Sequence, residues 1–391
     1  MTARKGMTAL GLLALVGLIA CGEREAGAPA GREPGTVAVS DGASQTAVGP
    51  GVAPEDRTFR DWLGVCDNGN DCVAYTGTDN GGWLMVRQAA GPDAQPQILA
   101  GLSAFAGEDT VEGIQLNIDG QRQALIAGPD DTMSYAVSAD QVRAVLGRLA
   151  SARSIAVGLG DTQANLPTAG ASAAFLWIDE KQGRLDTTTA LIRRGDLPAA
   201  SVPAAPALPQ VVSATAVDQA SLAGANSPGE QGDEAGVTLP ASIEALDAVR
   251  QCRADTSYNE YLQKAVLSGR LSADTELWGV PCDGGAYNAR YALYISGPNG
   301  ANPKKATFPD WSGQVPQVQE GDIFGDGLVN PVFDPRTNTV THFPRARGIG
   351  DCGTSQSWAW TGRGFVLTEE ASMGNCWGIV PDLWPTTWRT R

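Results

Sequence analysis

The chain is poor in metal ligands of the zinc type. It has a single histidine, His342, and its seven cysteines include no Cys-x-x-Cys pair. Structural zinc sites take four Cys or His ligands, usually with two of them a few residues apart. We therefore expect no metal site and no cofactor, and no set of residues identifies a catalytic centre.

Long apolar runs and positive charge are also scarce. The apolar run from Ala9 to Ala20 is too short to cross a bilayer, because a transmembrane helix needs about 20 residues. The 28 Lys and Arg are outnumbered by 43 Asp and Glu, which gives a net charge of −15. This balance argues against nucleic acid as a partner and against adhesion to anionic lipid through charge.

The start of the chain has the pattern of a bacterial lipoprotein signal. Basic residues at Arg4 and Lys5 precede the apolar run, which ends in Leu18-Ile19-Ala20-Cys21. A basic start, a short apolar segment and a small residue at the cut are typical of secretory signals. We predict a signal peptide over residues 1–20 and lipidation of Cys21; an ordinary signal cut at another small residue is the alternative.

A lipidated Cys21 predicts where the mature chain lies. The acyl chains would hold the protein on a membrane, facing the periplasm of the cell envelope. Gly22 follows Cys21, at the position where an aspartate would argue for retention at the inner membrane. The outer membrane is therefore the favoured location.

The other six cysteines predict a disulfide framework, because an exported chain meets an oxidising compartment. Six cysteines allow 15 pairings, so the sequence alone does not choose among them. Their spacing suggests three local pairs, which are Cys66 with Cys72, Cys252 with Cys282, and Cys352 with Cys376.

Composition divides the chain into segments. Residues 21–56 hold the lipidated cysteine and a disordered tether, and residues 199–238 are a disordered linker rich in Pro, Ala, Ser and Gly. The segments 57–198 and 239–391 are predicted domains. We expect an α+β fold, with two small antiparallel-sheet modules that each carry one or two helices and are held by disulfides.

Periodicity places two helices in the first predicted domain. Residues 139–149 put Val142, Val145, Leu146 and Leu149 on one apolar face, and Ser138 could cap this helix. Residues 170–182 form the second helix, which ends at Gly183. From Thr275 onward the pattern is one of short strands and turns.

Three groups of residues resemble a known bacterial family. The first is Phe59-Arg60-Asp61-Trp62 with Cys66-Asp67-Asn68, and the second runs from Ala173 to Arg184 and on through Thr187-Thr188-Thr189-Ala190-Leu191. The third includes Arg347-Gly348-Ile349-Gly350-Asp351-Cys352-Gly353, Trp358-Ala359-Trp360, Cys376 and Trp384-Pro385. Together they resemble the family called domain of unknown function 1176. The opening hairpin is also similar to invasion-associated locus B proteins.

This resemblance implies an exported envelope protein of a Gram-negative bacterium. The family carries no known reaction, so it supplies no catalytic residue. Trp377 follows Cys376 where the family pattern leads us to expect an arginine.

Several short patterns permit a chemical interpretation, but a structural one is favoured for each. Residues 321–327 have acidic residues without the ligand alternation of a calcium loop, which indicates a solvated turn. The sequence has no Gly-x-Ser-x-Gly motif, which would supply a nucleophile for a catalytic histidine. We therefore expect His342 to be a surface histidine or a buried one with its hydrogen bonds made. We expect two pairs of adjacent acids, Asp179-Glu180 and Glu369-Glu370, to be solvated, because neighbouring residues do not share a face of a strand or helix. For Asp179-Glu180 the alternative is that they form local ion pairs at the end of the 170–182 helix, toward Arg184.

Tryptophans crowd the end of the chain. Trp358 and Trp360 would share one face of a strand, and with Arg347 and Arg363 they form a candidate binding face. Packing in the core of a small sheet is the favoured alternative.

These observations favour a non-enzymatic binding or scaffold protein. Its partners would be the membrane, through the lipid, and an envelope protein or glycan. A cell-wall-active hydrolase that uses carboxylates is the alternative, and a structural spacer without a ligand is a third hypothesis.

Overall fold

Short runs of β-branched and aromatic residues, separated by Gly, Asn and Asp turns, form strands along most of the chain. A computed structural model describes residues 52–103, 113–128, 134–219, 237–254, 262, 264–316 and 327–391. The predicted signal peptide, Cys21, most of the tether and residues 321–326 of the calcium-like pattern lie outside these ranges. The described residues form four sheets, and every strand pair within them is antiparallel.

The first two sheets are built from residues before 170. The first sheet has the order β1-β2-β3-β4-β5-β9-β8 and the second has the order β11-β10-β6-β7. Their strands are β1 (Glu55–Phe59), β2 (Trp62–Cys66), β3 (Cys72–Gly77), β4 (Gly82–Gln88), β5 (Gln97–Leu102), β6 (Gln115–Ile118), β7 (Gln121–Ala124), β8 (Ile126–Ala127), β9 (Tyr135–Ala136), β10 (Ile155–Leu159) and β11 (Thr162–Leu166).

The last two sheets are built from residues after 266. The third has the order β12-β13-β14-β15, with β16 paired to β14, and the fourth has the order β17-β18-β19-β20-β21. Their strands are β12 (Leu267–Ser272), β13 (Thr275–Gly284), β14 (Ala289–Gly297), β15 (Ala301–Lys305), β16 (Leu328–Val329), β17 (Val332–Asp334), β18 (Thr339–His342), β19 (Gly353–Trp360), β20 (Phe365–Met373) and β21 (Thr386–Arg389).

The helices of the described residues are few and short. They include the α-helices α1 (Val142–Leu149), α2 (Ala171–Lys181), α3 (Ala241–Glu244) and α4 (Asp247–Ala254), and three single-turn 3-10 helices. None of the helices in the described part of the chain has the length and apolar character that crossing a membrane requires. The expected α+β fold of two small helix-bearing modules is therefore wrong, because strands hold more than twice as many of the described residues as helices do and the fold is β-rich.

Apolar clusters join the sheets in succession. One core lies among the first sheet, the second sheet, α1 and α2. The other face of the first sheet packs against the fourth sheet and the segment that follows it, through residues such as Tyr75, Met85, Met373 and Trp384. A further core lies between the third and fourth sheets. The two halves of the chain thus share apolar contacts, and the residues that the structure describes belong to one compact unit.

The segment that was expected to be a disordered linker is hydrogen-bonded where the structure describes it. Arg391 donates its backbone N–H to the carbonyl of Pro209, and Ala214 donates to the carbonyl of Trp360. The Nδ2 atom of Asn338 donates to the carbonyl of Ala214 as well. Within residues 199–219 these backbone groups are bonded to the fourth sheet and to the end of the chain.

The predicted disulfides are confirmed. The structure joins Cys66 to Cys72, Cys252 to Cys282 and Cys352 to Cys376. The first closes the turn between β2 and β3, the second ties α4 to β13, and the third ties the start of β19 to the segment after β20. Each bridge therefore fixes a local connection.

Candidate binding groove

The turn between β2 and β3 is organised by one aspartate. The Oδ1 atom of Asp67 accepts hydrogen bonds from the backbone N–H groups of Gly69 and Asp71, both at 2.8 Å. Asn70 has a φ of 61°, a left-handed conformation that asparagine tolerates better than most residues. The Cys66–Cys72 disulfide closes the turn, so the two carboxylates of Asp67 and Asp71 are held in place.

The last strand is bonded to this turn. Asn68 donates its Nδ2 to the carbonyl of Arg389 at 2.8 Å and accepts the backbone N–H of Arg389 at 2.9 Å. The Arg389 guanidinium lies 2.5 Å from the carboxylate of Asp67 and 2.6 Å from that of Asp71. A Cβ at position 69 would come within 2.5 Å of Nη2 of Arg389, so Gly69 permits this approach.

A groove of about 330 Å³ lies beside this junction. The side chains of Val73, Arg87 and Gln97 form a row across it, because Arg87 is paired with Val73 on β3 and with Gln97 on β5. The other lining residues come from the turn, from the end of β4 and from the last segment of the chain: Asp67, Asp71, Cys72, Gln88, Ala89, Gln95, Asp382, Trp384, Thr386 and Arg389. The volume lies within the range of small-molecule sites.

Among the residues that the structure describes, Arg87 is the groove cation that has no acidic partner. It donates from Nη2 to the carbonyl of Leu383 at 2.7 Å and from Nε to the sulfur of Met85 at 3.2 Å. No carboxylate of the described residues lies within ion-pair distance of its guanidinium. Burial lowers the pKa of Arg87 from its usual value, which reflects the cost of removing its charge from water.

The carboxylates of the turn have a different environment. Burial raises the pKa of Asp67, although the nearby Arg389 guanidinium acts in the opposite direction. Both oxygens of Asp67 are engaged, one by backbone N–H groups and the other by Arg389. The carboxylate of Asp71 bonds Arg389 and the backbone N–H of Ala90. These acids hold the turn and the last strand together.

The binding face expected from the sequence is not assembled. Trp358 and Trp360 are only 2% and 4% exposed, in the core between the third and fourth sheets, so neither ring offers a face to a ligand. Arg347 bonds Asp351 and the carbonyl of Cys376 beside the start of β19, whereas Arg363 lies exposed in the turn after its end. A strand of eight residues separates the two positions, about 25 Å. Core packing is therefore the interpretation that the burial supports.

His342 and the third disulfide have structural surroundings. Nδ1 of His342 accepts the backbone N–H of Val329 at 2.9 Å, and the ring meets Trp358 edge-on. Asp351, Cys352 and Cys376 lie close enough together to suggest a metal site, but both sulfurs belong to the disulfide. The Asp351 carboxylate is bonded by Arg347 and by the backbone N–H of Gly378.

We expect the free energy of unfolding to decrease as the pH is lowered, because of His342. Burial lowers its pKa to about 4, so the folded protein binds fewer protons than the unfolded chain between about pH 4 and 6.5. The loss begins below pH 6.5 and reaches about 2 kcal/mol at pH 5. Urea unfolding at pH 7.5 and pH 5 should show a smaller loss for His342→Gln than for the unchanged protein. Equal losses in the two proteins would contradict this role.

One buried polar network was missed by the sequence analysis. Asp179 was expected to be solvated, but it is 0% exposed. Its carboxylate accepts the backbone N–H groups of Leu191, Ile192 and Arg193, which folds the chain after α2 back against the helix. Glu180, the next residue of α2, is exposed as expected. The signal that could have found the network is the polar cluster Asp179, Gln182, Arg184, Thr187 and Thr189 directly after an apolar helix face.

Comparison with known proteins shows which family the chain belongs to. The model of a family described as protein of unknown function DUF1176 matches residues 56–391. The chain belongs to this family. It is also 29% identical over 353 residues to an uncharacterized protein of Escherichia coli strain K12, YpfG, across 87% of this chain and 94% of that protein. No solved structure matches.

The residues that carry the DUF1176 resemblance have specific positions in the fold. Cys66, Asp67 and Asn68 form the turn that binds Arg389, next to the groove. The segment around Asp179 and Arg184 supports the loop after α2. The likeness of the opening hairpin to invasion-associated locus B proteins stays a prediction.

Proposed function

We propose that this DUF1176 member is an exported, lipid-anchored envelope protein that binds a partner without chemical turnover, and that the groove beside Arg389 is its binding site. The observation that carries the proposal is the groove itself. It combines a cavity of small-molecule size with an arginine, Arg87, that has no acidic partner among the described residues.

Export and anchoring rest on the sequence pattern around Cys21 and on the disulfides. Three disulfides join six cysteines, which supports an oxidising compartment such as the periplasm. The seventh cysteine, Cys21, follows the apolar run at the position that a lipoprotein signal requires. The outer membrane remains the favoured location on account of Gly22.

Binding is favoured over carboxylate-based hydrolysis because of how the acids in the groove are used. A glycosidase needs one carboxyl as a general acid and a second as a nucleophile or base. Asp67 has both oxygens engaged in the turn, and Asp71 is bonded to Arg389 and to the backbone of Ala90. These contacts hold two of the three groove carboxylates to structural partners and leave only Asp382, one acid where the reaction needs two.

The anchoring part of the proposal predicts the behaviour of one variant. With Cys21→Ser we expect most of the protein to leave the envelope pellet and to appear in the soluble periplasmic fraction. Serine has no sulfur, so the thioether bond to the lipid cannot form. Fractionation followed by mass analysis of the N-terminal peptide measures this. Cys21→Ser protein that stays in the pellet, or an unchanged protein without an acyl adduct, would rule out the anchor.

A further inference from the structure

The groove contains two charged side chains that make no ion pair with any residue the structure describes. Arg87 donates to a backbone carbonyl and to a sulfur, neither of which carries a charge. Asp382 is exposed, lines the same groove and makes no ion pair with a described residue. Asp382 precedes Leu383, whose carbonyl accepts from Arg87, so both charges lie in the same part of the groove.

A guanidinium that is partly removed from water gains from a charged acceptor. Charge-assisted hydrogen bonds from arginine to a carboxylate are short and can be bidentate. A single carboxylate is favoured over a phosphate dianion, because the groove lining holds three aspartates against two arginines, Arg87 and Arg389, and its net negative charge opposes a dianion more strongly. A carboxylate carries a single negative charge in the planar shape that one guanidinium matches.

Asp382 adds a second requirement on the ligand. An exposed carboxylate without an ion pair suits an ammonium group, and the amide side chains of Gln95 and Gln97 on the groove lining can bond peptide groups. A ligand that satisfies Arg87 and Asp382 together therefore carries one negative and one positive group. Amino acids and short peptides with free ends have this chemistry.

We infer that the groove binds a zwitterionic amino acid or short peptide, with the ligand carboxylate on Arg87 and the ligand ammonium on Asp382. This inference rests on the proposed role of the groove as the binding site. It names the ligand class and the two residues that select it.

A panel of matched peptides tests the inference on the unchanged protein. Trialanine, N-acetyl-trialanine and trialanine amide differ only in the charge at one end. We expect calorimetric titration of the full exported protein in detergent to show that the amide binds at least about tenfold more weakly than trialanine, since it lacks the charged acceptor for Arg87. The acetylated peptide should also bind more weakly.

Variants then assign each end of the ligand to a residue. Arg87→Met should weaken trialanine binding at least about tenfold and should remove the preference for trialanine over its amide. Asp382→Asn should remove the preference for trialanine over N-acetyl-trialanine and leave the preference over the amide. Arg363→Met, which changes an exposed arginine far from the groove, should bind as the unchanged protein does. Circular dichroism checks that each variant is folded.

Two results would overturn the inference: equal binding of all three peptides, or no binding of any of them at millimolar concentration to protein that is folded. Because the peptide panel is measured on the unchanged protein, a variant that fails to fold does not remove the test. Cellular fractionation of Cys21→Ser is independent of peptide binding, so a failure of the ligand assignment is distinguishable from a failure of the anchor.

Discussion

Replacing Arg184 with methionine should lower the free energy of unfolding by about 3–5 kcal/mol, which is the usual cost of breaking a buried charged network. Arg184 is 0% exposed. Its guanidinium donates to Gln182 Oε1 at 2.7 Å, to Thr189 Oγ1 at 3.1 Å, and to the carbonyls of Ala89 and Gly91 at 2.9 and 2.6 Å. Methionine fills much of the space but leaves all four acceptors without this donor.

The charge of Arg184 has a second role. Burial lowers its pKa, while the carboxylate of Asp179 acts in the opposite direction and favours the charged form. Without the guanidinium, Asp179 would keep its backbone donors but lose a cation that favours its ionised state. Lysine at position 184 should restore little, because an ammonium cannot reproduce the fork of the guanidinium.

Urea unfolding followed by tryptophan fluorescence measures this loss by linear extrapolation. Arg363→Met is the matched control, since Arg363 is exposed, and it should change stability by less than about 0.5 kcal/mol. A loss below about 1 kcal/mol for Arg184→Met would show that the network is not coupled to global stability.

The local parts of the fold could be predicted where one periodicity dominates. The expected face of Val142, Val145, Leu146 and Leu149 is buried on α1, and the helix expected over residues 170–182 is α2. The cap was wrong, because α1 begins at Val142 and Ser138 makes no cap hydrogen bond to it. Cysteine spacing also predicted the disulfides, because short separations favour local pairs.

The sequence predicts fewer strand residues after residue 350 than the structure contains, for a physical reason. β19 begins at Gly353, although Thr354, Ser355, Gln356 and Ser357 are polar and give no apolar alternation. These residues are strand because they pair with β20 on one side, and a shift of register after Ser357 separates them from the buried tryptophans. Cross-strand pairing of polar residues is not visible in a single sequence, so the sheet content was underestimated and the α+β class was favoured.

The groove and the 199–219 segment depend on contacts between distant residues. Asn68 and Arg389 are 321 residues apart, and no local pattern links them. Likewise, the Pro- and Ala-rich segment provides few side chains for a core, but backbone N–H and C=O groups bond to any suitably placed neighbour, as Ala214 does with Trp360. Amino-acid composition describes the side chains, so it does not predict the backbone hydrogen bonds that this segment makes.

The second large effect is expected at Trp358, which was first considered as part of a binding face. Trp358→Ala should lower the free energy of unfolding by about 3–5 kcal/mol, the range for removing a large aromatic side chain from a core. The ring is 2% exposed, meets Phe308 edge-on at 5.2 Å between centroids, and donates from Nε1 to the carbonyl of Pro309 at 2.7 Å. Alanine would leave a cavity and an unpaired carbonyl.

Phenylalanine variants separate the hydrogen bond from the packing. Trp358→Phe keeps an aromatic ring but loses the hydrogen bond to the carbonyl of Pro309. Trp360→Phe loses no such bond, because Nε1 of Trp360 is buried without a partner among the described residues. Trp358→Phe should therefore destabilise the protein more than Trp360→Phe, by about 1 kcal/mol, because an unmade bond leaves a buried acceptor unsatisfied. Urea unfolding of the three variants gives both comparisons. Retention of full stability by Trp358→Ala would mean that this ring is not part of the core, and the exposed binding face would then have to be reconsidered.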